Sequence, residues 1–255
     1  MVAAPAVIWV AYVGGSIYTV VIGVAAVGAA WEAFDMLRRR GYRPALVIGL
    51  CAAGLLAVAP GLSHGPQWFR GVLLVEAMVA GCWYLVRSRE FDALIDWVLT
   101  VGIALYCGGL LGSLTALRSL HDGFQLVALV LVVTWSYDTG AYLLGRFAGR
   151  RPFMQWISPS KTWEGVAGGV GLSCVAALAL AIPFNVAIPT ALVLGVVVAV
   201  AAQAGDLLES LLKRHCGVKD SGVVVPGHGG LLDRIDSLLF TSSAAFFVLL
   251  AFGYR

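Results

Sequence analysis

Charge is scarce in this sequence. Only 12% of its 255 residues are Asp, Glu, Lys or Arg, against roughly 25% in a soluble domain. Lysine is nearly missing: Lys161, Lys213 and Lys219 are the only three. The five cysteines, Cys51, Cys82, Cys107, Cys174 and Cys216, are scattered with no CxxC pair. Four of them lie in apolar runs, where a free thiol behaves as a small hydrophobe. A disulfide framework and a zinc site are therefore not expected. Neither GxxxxGK[ST] nor HExxH occurs, which excludes a P-loop and the metalloprotease helix, and no nucleic-acid-binding motif is present. The first apolar run lacks a basic leader and is followed by Arg38-Arg39-Arg40. It reads as a retained span rather than a cleaved signal peptide.

What the sequence has in excess is apolar side chain: 60% hydrophobic residues and a mean hydropathy of +0.90. A soluble globule could not bury that share. Apolar runs fall near 6–30, 44–62, 68–86, 93–116, 124–144, 165–181, 189–205 and 237–254. They are continuous and close to the roughly 20 residues that an α-helix needs to cross a bilayer. Barrel strands would instead alternate over about 10 residues. The expected fold is an all-α, polytopic integral membrane protein with about eight transmembrane helices, eight or nine. With both termini outside, the inner loops hold 14 of the 17 basic residues, leaving Arg70, Arg118 and Arg255 outside. That asymmetry is the positive-inside pattern. It assigns two long polar connections, 145–164 and 206–236, to the cytoplasm of a bacterial-type inner membrane. The chemistry is expected there.

In 206–236, a helix continuing inward from the preceding span would put Asp206, Ser210 and Lys213 on one face, with Glu209 beside them. An amphipathic helix end meeting headgroups would explain Arg214 equally well, but not Asp206, which is costly so near an apolar run without a partner. Lys219-Asp220 follows, and then Pro226-Gly227-His228-Gly229-Gly230. Glycines suit a simple turn, and they also suit a backbone nest for an anion. His228 fits a phosphate donor better than a bystander in such a turn. Asp233 and Asp236, at i and i+3, stand at the start of the last helix, where its dipole favours carboxylates. With Asp206 they could also hold Mg²⁺, which takes one or two carboxylates plus phosphates and water. Arg234 between them is open to a structural ion pair.

The other connection begins with Asp138 and Tyr142 at the inner end of a span, followed by Arg146, Arg150 and Arg151. An ionisable group near the membrane suggests function by default. Next, Ser158-Pro-Ser160-Lys161-Thr162-Trp-Glu164 gathers three hydroxyls, a lysine and an acid. The hydroxyls suit helix caps; with Lys161 they also suit a polyphosphate. Composition and spacing thus point to metal-assisted phosphoryl or nucleotidyl chemistry at the cytoplasmic face.

Ser210-Leu-Leu-Lys213-Arg214, four residues, Lys219-Asp220, then Pro226-Gly-His228-Gly229-Gly230-Leu-Leu-Asp233-Arg234-Ile-Asp236 resembles the signature of the phosphatidate cytidylyltransferase (CDP-diacylglycerol synthase) family. Asp138-Thr-Gly-Ala-Tyr142 and Ser158-Pro-Ser-Lys161-Thr-Trp-Glu164-Gly are similar to the family's other blocks, in the same order. The resemblance runs from about residue 134 to 240. Departures are Val225 for Leu or Ile, Ser160 where a second lysine is frequent, and Arg150 where Lys is common. On this reading 1–133 forms N-terminal transmembrane helices. Residues 134–255 form a transmembrane catalytic region with motif loops 138–164 and 206–236.

The resemblance implies the reaction of CTP with phosphatidate to give CDP-diacylglycerol and pyrophosphate. It implies Mg²⁺ on Asp206, Asp233 and Asp236, leaving a second, monovalent cation open. Ser210 and Lys213 join these acids as catalytic residues. Asp138, Ser158, Lys161, Arg214, Lys219, Asp220, His228, Gly229, Gly230 and Arg234 are expected to bind substrate. Expected partners are CTP, phosphatidate and membrane lipid, with no nucleic acid and with a homodimer left open. The alternatives are a CTP-dependent kinase of lipid alcohols, a relative acting on another lipid phosphate, and a transporter. Transporters place charge along a mid-span pathway, whereas here charge clusters in loops.

Overall fold

A computed structural model describes residues 4–87, 93–222 and 229–255. Among these residues there are ten α-helices and no strand, with an isolated bridge between Pro152 and Thr162. The helices are α1 (Ala4–Val13), α2 (Gly15–Arg39), α3 (Leu46–Val58), α4 (Gly65–Arg87), α5 (Ala93–Ala104), α6 (Leu110–Arg118), α7 (Gly123–Ala148), α8 (Trp163–Ala181), α9 (Ile188–Cys216) and α10 (Leu232–Ala251). One π-helical turn, Leu105–Gly109, joins α5 to α6 as a single span, Ala93–Arg118. Among the described residues, seven helices are long and apolar enough to cross a membrane: α2, α4, Ala93–Arg118, α7, α8, α9 and α10. Their outward residues are apolar too, with Val86 90% and Phe147 81% exposed. This is the surface of a multi-pass membrane protein, in which lipid takes the place of a hydrophobic interior.

Two apolar runs fold differently from expectation. The run 6–30 divides at Gly14 and Gly15, whose φ angles of +65° and +57° suit glycine and end a right-handed helix. A short α1 therefore precedes the span, and the span slides to Gly15–Arg39 with its arginines inside its own last turn. The run 44–62 starts after Pro44 and closes in a 3₁₀ turn, Ala59–Gly61, containing Pro60. It is a shorter apolar helix, Leu46–Gly61.

The chain forms two compact units. The first comprises Met1–Ala116 with His215–Ile235. Here α3 is the central element, packed against α2, α4 and α5. Small residues allow that closeness: a Cβ on Gly108 would strike the Ala53 backbone, and one on Gly49 the Phe34 ring. Buried hydroxyls then tie helix to helix. Thr115 Oγ1 donates to the Ala57 carbonyl (2.8 Å) and Tyr18 Oη to that of Leu114 (3.2 Å).

The second unit comprises Leu117–Arg214 with Asp236–Arg255. A tight seam joins α7 to α8. A Cβ on Gly140 would lie 2.5 Å from the Gly168 carbonyl oxygen, and one on Gly165 2.9 Å from that of Ala141. Small residues at such spacing let membrane helices touch backbone to backbone. Tyr137 lies over Gly169 and donates its hydroxyl to Gln203 Oε1 on α9 (2.7 Å). Thr134 donates to Thr241 on α10 (2.9 Å) and Ser173 on α8 to the Gly195 carbonyl on α9 (3.0 Å).

Candidate active site

Within the second unit, the connection from α7 to α8 is a built loop. Glu164 accepts the backbone N–H groups of Arg150 and Arg151 (both 3.1 Å). Phe153 N–H bonds the Lys161 carbonyl (2.8 Å) and Trp163 N–H that of Arg151 (2.9 Å). The Phe153 and Trp163 rings meet edge to face, 4.6 Å apart. Thr162 is the N-cap of α8, accepting the Gly165 N–H at 3.1 Å. Ser158 closes the preceding turn, its carbonyl accepting the Lys161 N–H (3.3 Å). Thr162 and Glu164 are thus occupied in holding the loop, which fixes where Lys161 points.

Lys161 reaches α9. Its Nζ lies 2.6 Å from Asp206 Oδ2, and the lysine side chain is only 15% exposed. Ser210, one helical turn on, donates to Asp206 Oδ1 (3.3 Å). A further turn along, Lys213 Nζ meets Glu209 Oε2 at 2.5 Å, with Glu209 fully buried. Arg214 Nε donates to the Ile157 carbonyl (3.4 Å), tying the end of α9 to the loop. Asp138 on α7 accepts from Ser237 Oγ on α10 (3.4 Å), and Asp236 Oδ1 accepts the Ser237 N–H (2.6 Å). The charges of Asp138, Asp206 and Asp236 act on one another, and Lys161 and Lys213 act on this acidic set. Five ionisable groups predicted from sequence thus converge from α7, the loop, α9 and α10. Tyr142 does not join them; its hydroxyl accepts from Arg146 (2.6 Å) at the surface.

The family model described as "Cytidylyltransferase family" matches residues 1–252. The chain belongs to the cytidylyltransferase family. Similar proteins include the phosphatidate cytidylyltransferase of Staphylococcus saprophyticus, 38% identical over 159 residues that span 62% of this chain and 60% of the relative. That of Staphylococcus aureus strain COL is 34% identical over 200 residues, 76% of each chain. That of Bacillus subtilis strain 168 is 41% identical over 153 residues, 59% of this chain and 57% of the relative. The match to the first of these covers about three fifths of that relative's length.

In the first unit, the segment before α10 is held by an acid that sequence reading missed. Glu32 on α2, 3% exposed, accepts the N–H groups of Leu231 and Leu232 (both 2.8 Å) and the Ser221 hydroxyl (2.8 Å). Asp233 Oδ2 accepts from Ser221 N–H (2.9 Å), Ser221 Oγ (3.0 Å) and Gly230 N–H (2.8 Å). Ser221 has one hydroxyl proton for these two carboxylates. Gly230 has no space for a side chain, because a Cβ would collide with Ser221 Oγ and Glu32 Oε2. Gly229 adopts φ +83°, a conformation that glycine alone takes readily. Lys219, Asp220 and Arg234 are exposed. Among the described residues, no hydrogen bond or ion pair engages the side chains of Lys219 and Asp220. His228 and Val225 lie outside the described residues. The signal for Glu32 was available: a carboxylate flanked by Ala29-Ala30-Trp31 and Ala33-Phe34 in a membrane helix requires a partner.

Gly61-Leu62-Ser63-His64-Gly65 matches the GxSxG spacing, but it forms the turn from α3 to α4. It lacks the strand-to-helix elbow that would expose a nucleophile.

No group of three His, Cys, Asp or Glu side chains among the described residues is placed to hold a metal ion. Mg²⁺ needs fewer, taking one or two carboxylates and completing its shell with phosphate oxygens and water. Asp206 and Asp236 supply oxygen donors of that kind. Lys161 on Asp206 shows that the carboxylate attracts positive charge. The donor chemistry of these two acids suits the ion.

Proposed function

We propose that the chain is a CTP:phosphatidate cytidylyltransferase that forms CDP-diacylglycerol and pyrophosphate at the cytoplasmic face of the membrane. The observation that carries this reading is Lys161 seated on Asp206, with Ser210 on the other carboxylate oxygen and Asp138 and Asp236 beside them. Interleaved acids and lysines suit a metal-bound polyphosphate, and the relatives named above are phosphatidate cytidylyltransferases.

The chemistry joins two anions. An oxygen of the lipid phosphate forms a bond to the α-phosphorus of CTP. The bond from that phosphorus to the bridging oxygen of the β-phosphate breaks, and pyrophosphate leaves with the electron pair. A phosphate monoester is already ionised near neutrality, so no general base is required. His228 is assigned to binding rather than proton abstraction. Bound Mg²⁺, held by Asp206 and Asp236 with Asp233 as the third acid that the resemblance assigns, would offset charge on the phosphates. An ammonium has three N–H donors, so Lys161 can hold Asp206 and a phosphate oxygen together. The loop that fixes Lys161 gives it orientation in advance, which is where phosphoryl-transfer enzymes gain most of their rate. Acyl chains stay in the bilayer while the headgroup reaches the polar end of the helices.

The test uses purified protein in detergent with Mg²⁺, phosphatidate and CTP labelled at either the α or the γ phosphorus. α-label should enter the organic phase only with phosphatidate, and γ-label should leave as pyrophosphate. γ-label entering a lipid alcohol would instead establish a CTP-dependent kinase. Movement of neither label would refute both readings.

A further inference from the structure

A groove of about 1140 Å³ lies in the first unit, where the end of α2, the connection 40–45, the start of α3 and the end of α4 meet. Its volume lies just above the roughly 300–1,000 Å³ of sites that take a drug-sized ligand. Three arginines line it: Arg38 from the last turn of α2, Arg43 from the connection and Arg87 from the last turn of α4. All three are exposed. Among the described residues, no carboxylate forms an ion pair with any of them. Two nearby acids among the described residues are engaged elsewhere. Asp35 pairs with Arg39 (2.5 Å), and Asp96 accepts the backbone N–H of Arg43 (2.8 Å). The carbonyls at the end of α2 are covered by the N–H groups of Arg40, Gly41 and Tyr42, which blunts the negative end of the helix dipole.

The remaining wall is apolar and exposed. Val47 is 73%, Val79 49% and Trp83 46% exposed. The Arg87 guanidinium lies over the Trp83 ring, 5.2 Å from its centroid, so the charge sits directly above the apolar strip. A belt of arginines that only anchored helix ends would need no concavity. This groove combines a cationic rim with an apolar wall that continues along α3 and α4.

We propose that the groove holds a phospholipid of the surrounding bilayer whose headgroup is anionic. The phosphate lies among Arg38, Arg43 and Arg87, and an acyl chain lies along Val47, Val79 and Trp83. Guanidinium forks match phosphate oxygens, and basic pockets between membrane helices take anionic headgroups in this way. The proposal does not depend on the reaction above, and its test does not read activity.

The full chain is reconstituted in dioleoylphosphatidylcholine vesicles with roughly 10 mol% of a lipid brominated on its acyl chains, as either phosphatidylglycerol or phosphatidylcholine. Bromine quenches nearby tryptophan emission, and the Trp83 share is the difference between the parent and Trp83→Phe. The anionic lipid should quench Trp83 at least about twofold more than the zwitterionic one. The ratio should fall to about one in Arg38→Gln/Arg43→Gln/Arg87→Gln and should stay above one, though weakened, in the corresponding triple Lys variant, which keeps the charge but not the fork. Equal quenching by both lipids in the parent, or a preference that survives the triple Gln substitution, would overturn the proposal. About 20 mM inorganic phosphate should leave the preference in place, because a soluble anion lacks the chain contact; its loss would assign the groove to soluble phosphate.

Discussion

Glu32 accepts the backbone N–H of Leu232, a residue 200 positions later in the chain, at 2.8 Å. A carboxylate from one membrane helix thereby caps the start of another. It also accepts the Leu231 N–H and the Ser221 hydroxyl, so Leu231 and Leu232 are fixed from α2, while Asp233 of the same stretch holds the Gly230 N–H.

Glu32→Gln replaces one accepting oxygen by a donor that faces N–H groups. One buried donor is left unsatisfied, at a cost of about 1–3 kcal/mol. Amide hydrogen exchange at Leu231 and Leu232 should accelerate by roughly tenfold or more. Unchanged exchange would show that Glu32 does not hold this segment.

Lys161→Ala should lower cytidylyl transfer from CTP by about 100-fold or more, with Lys161→Arg recovering part of the loss. The labelled-CTP assay, with kcat and KM measured separately, checks this. A rate and CTP dependence equal to the parent would remove Lys161 from the nucleotide site.

Asp206→Asn and Asp236→Asn should each abolish transfer while the protein remains folded in detergent, because the amide keeps the size of the carboxylate. Chelation should abolish activity in the parent, and Mg²⁺ should restore it. Full activity of both variants would remove the metal assignment.

Gly140→Ala places a methyl 2.5 Å from the Gly168 carbonyl oxygen and 2.9 Å from Leu172 Cβ. It should destabilise the protein by about 1–3 kcal/mol. Gly171→Ala, on the same α8 but with nothing within 4 Å, should be neutral or stabilise by about 0.5–1 kcal/mol. Thermal unfolding of the two variants in detergent provides the comparison.

The all-helical, multi-span architecture was legible because run length alone separates helices from barrel strands. Where spans begin was less so. The break at Gly14–Gly15 depends on two backbone angles, and the π turn at Leu105–Gly109 leaves no trace in hydropathy. At the candidate site, motif order named Lys161 and Asp206 but not their pairing, which is set by a loop tied down through Glu164 and Thr162. Asp233 and Asp236 read as twins at i and i+3. The structure gives Asp233 three donors from Ser221 and Gly230, and Asp236 the charges of Asp138 and Asp206. Glu32 stood out as a carboxylate among Ala and aromatic residues, but its partners lie about 200 positions away in the chain and no local pattern points to them.

The glycine seam between α7 and α8 has a mechanical consequence. Helices in backbone contact cannot slide or roll without breaking van der Waals contact along the whole seam. α7 and α8 therefore travel as one rigid body during any breathing of this unit. Asp138 keeps its position relative to the loop that carries Lys161, whose two ends are these same helices.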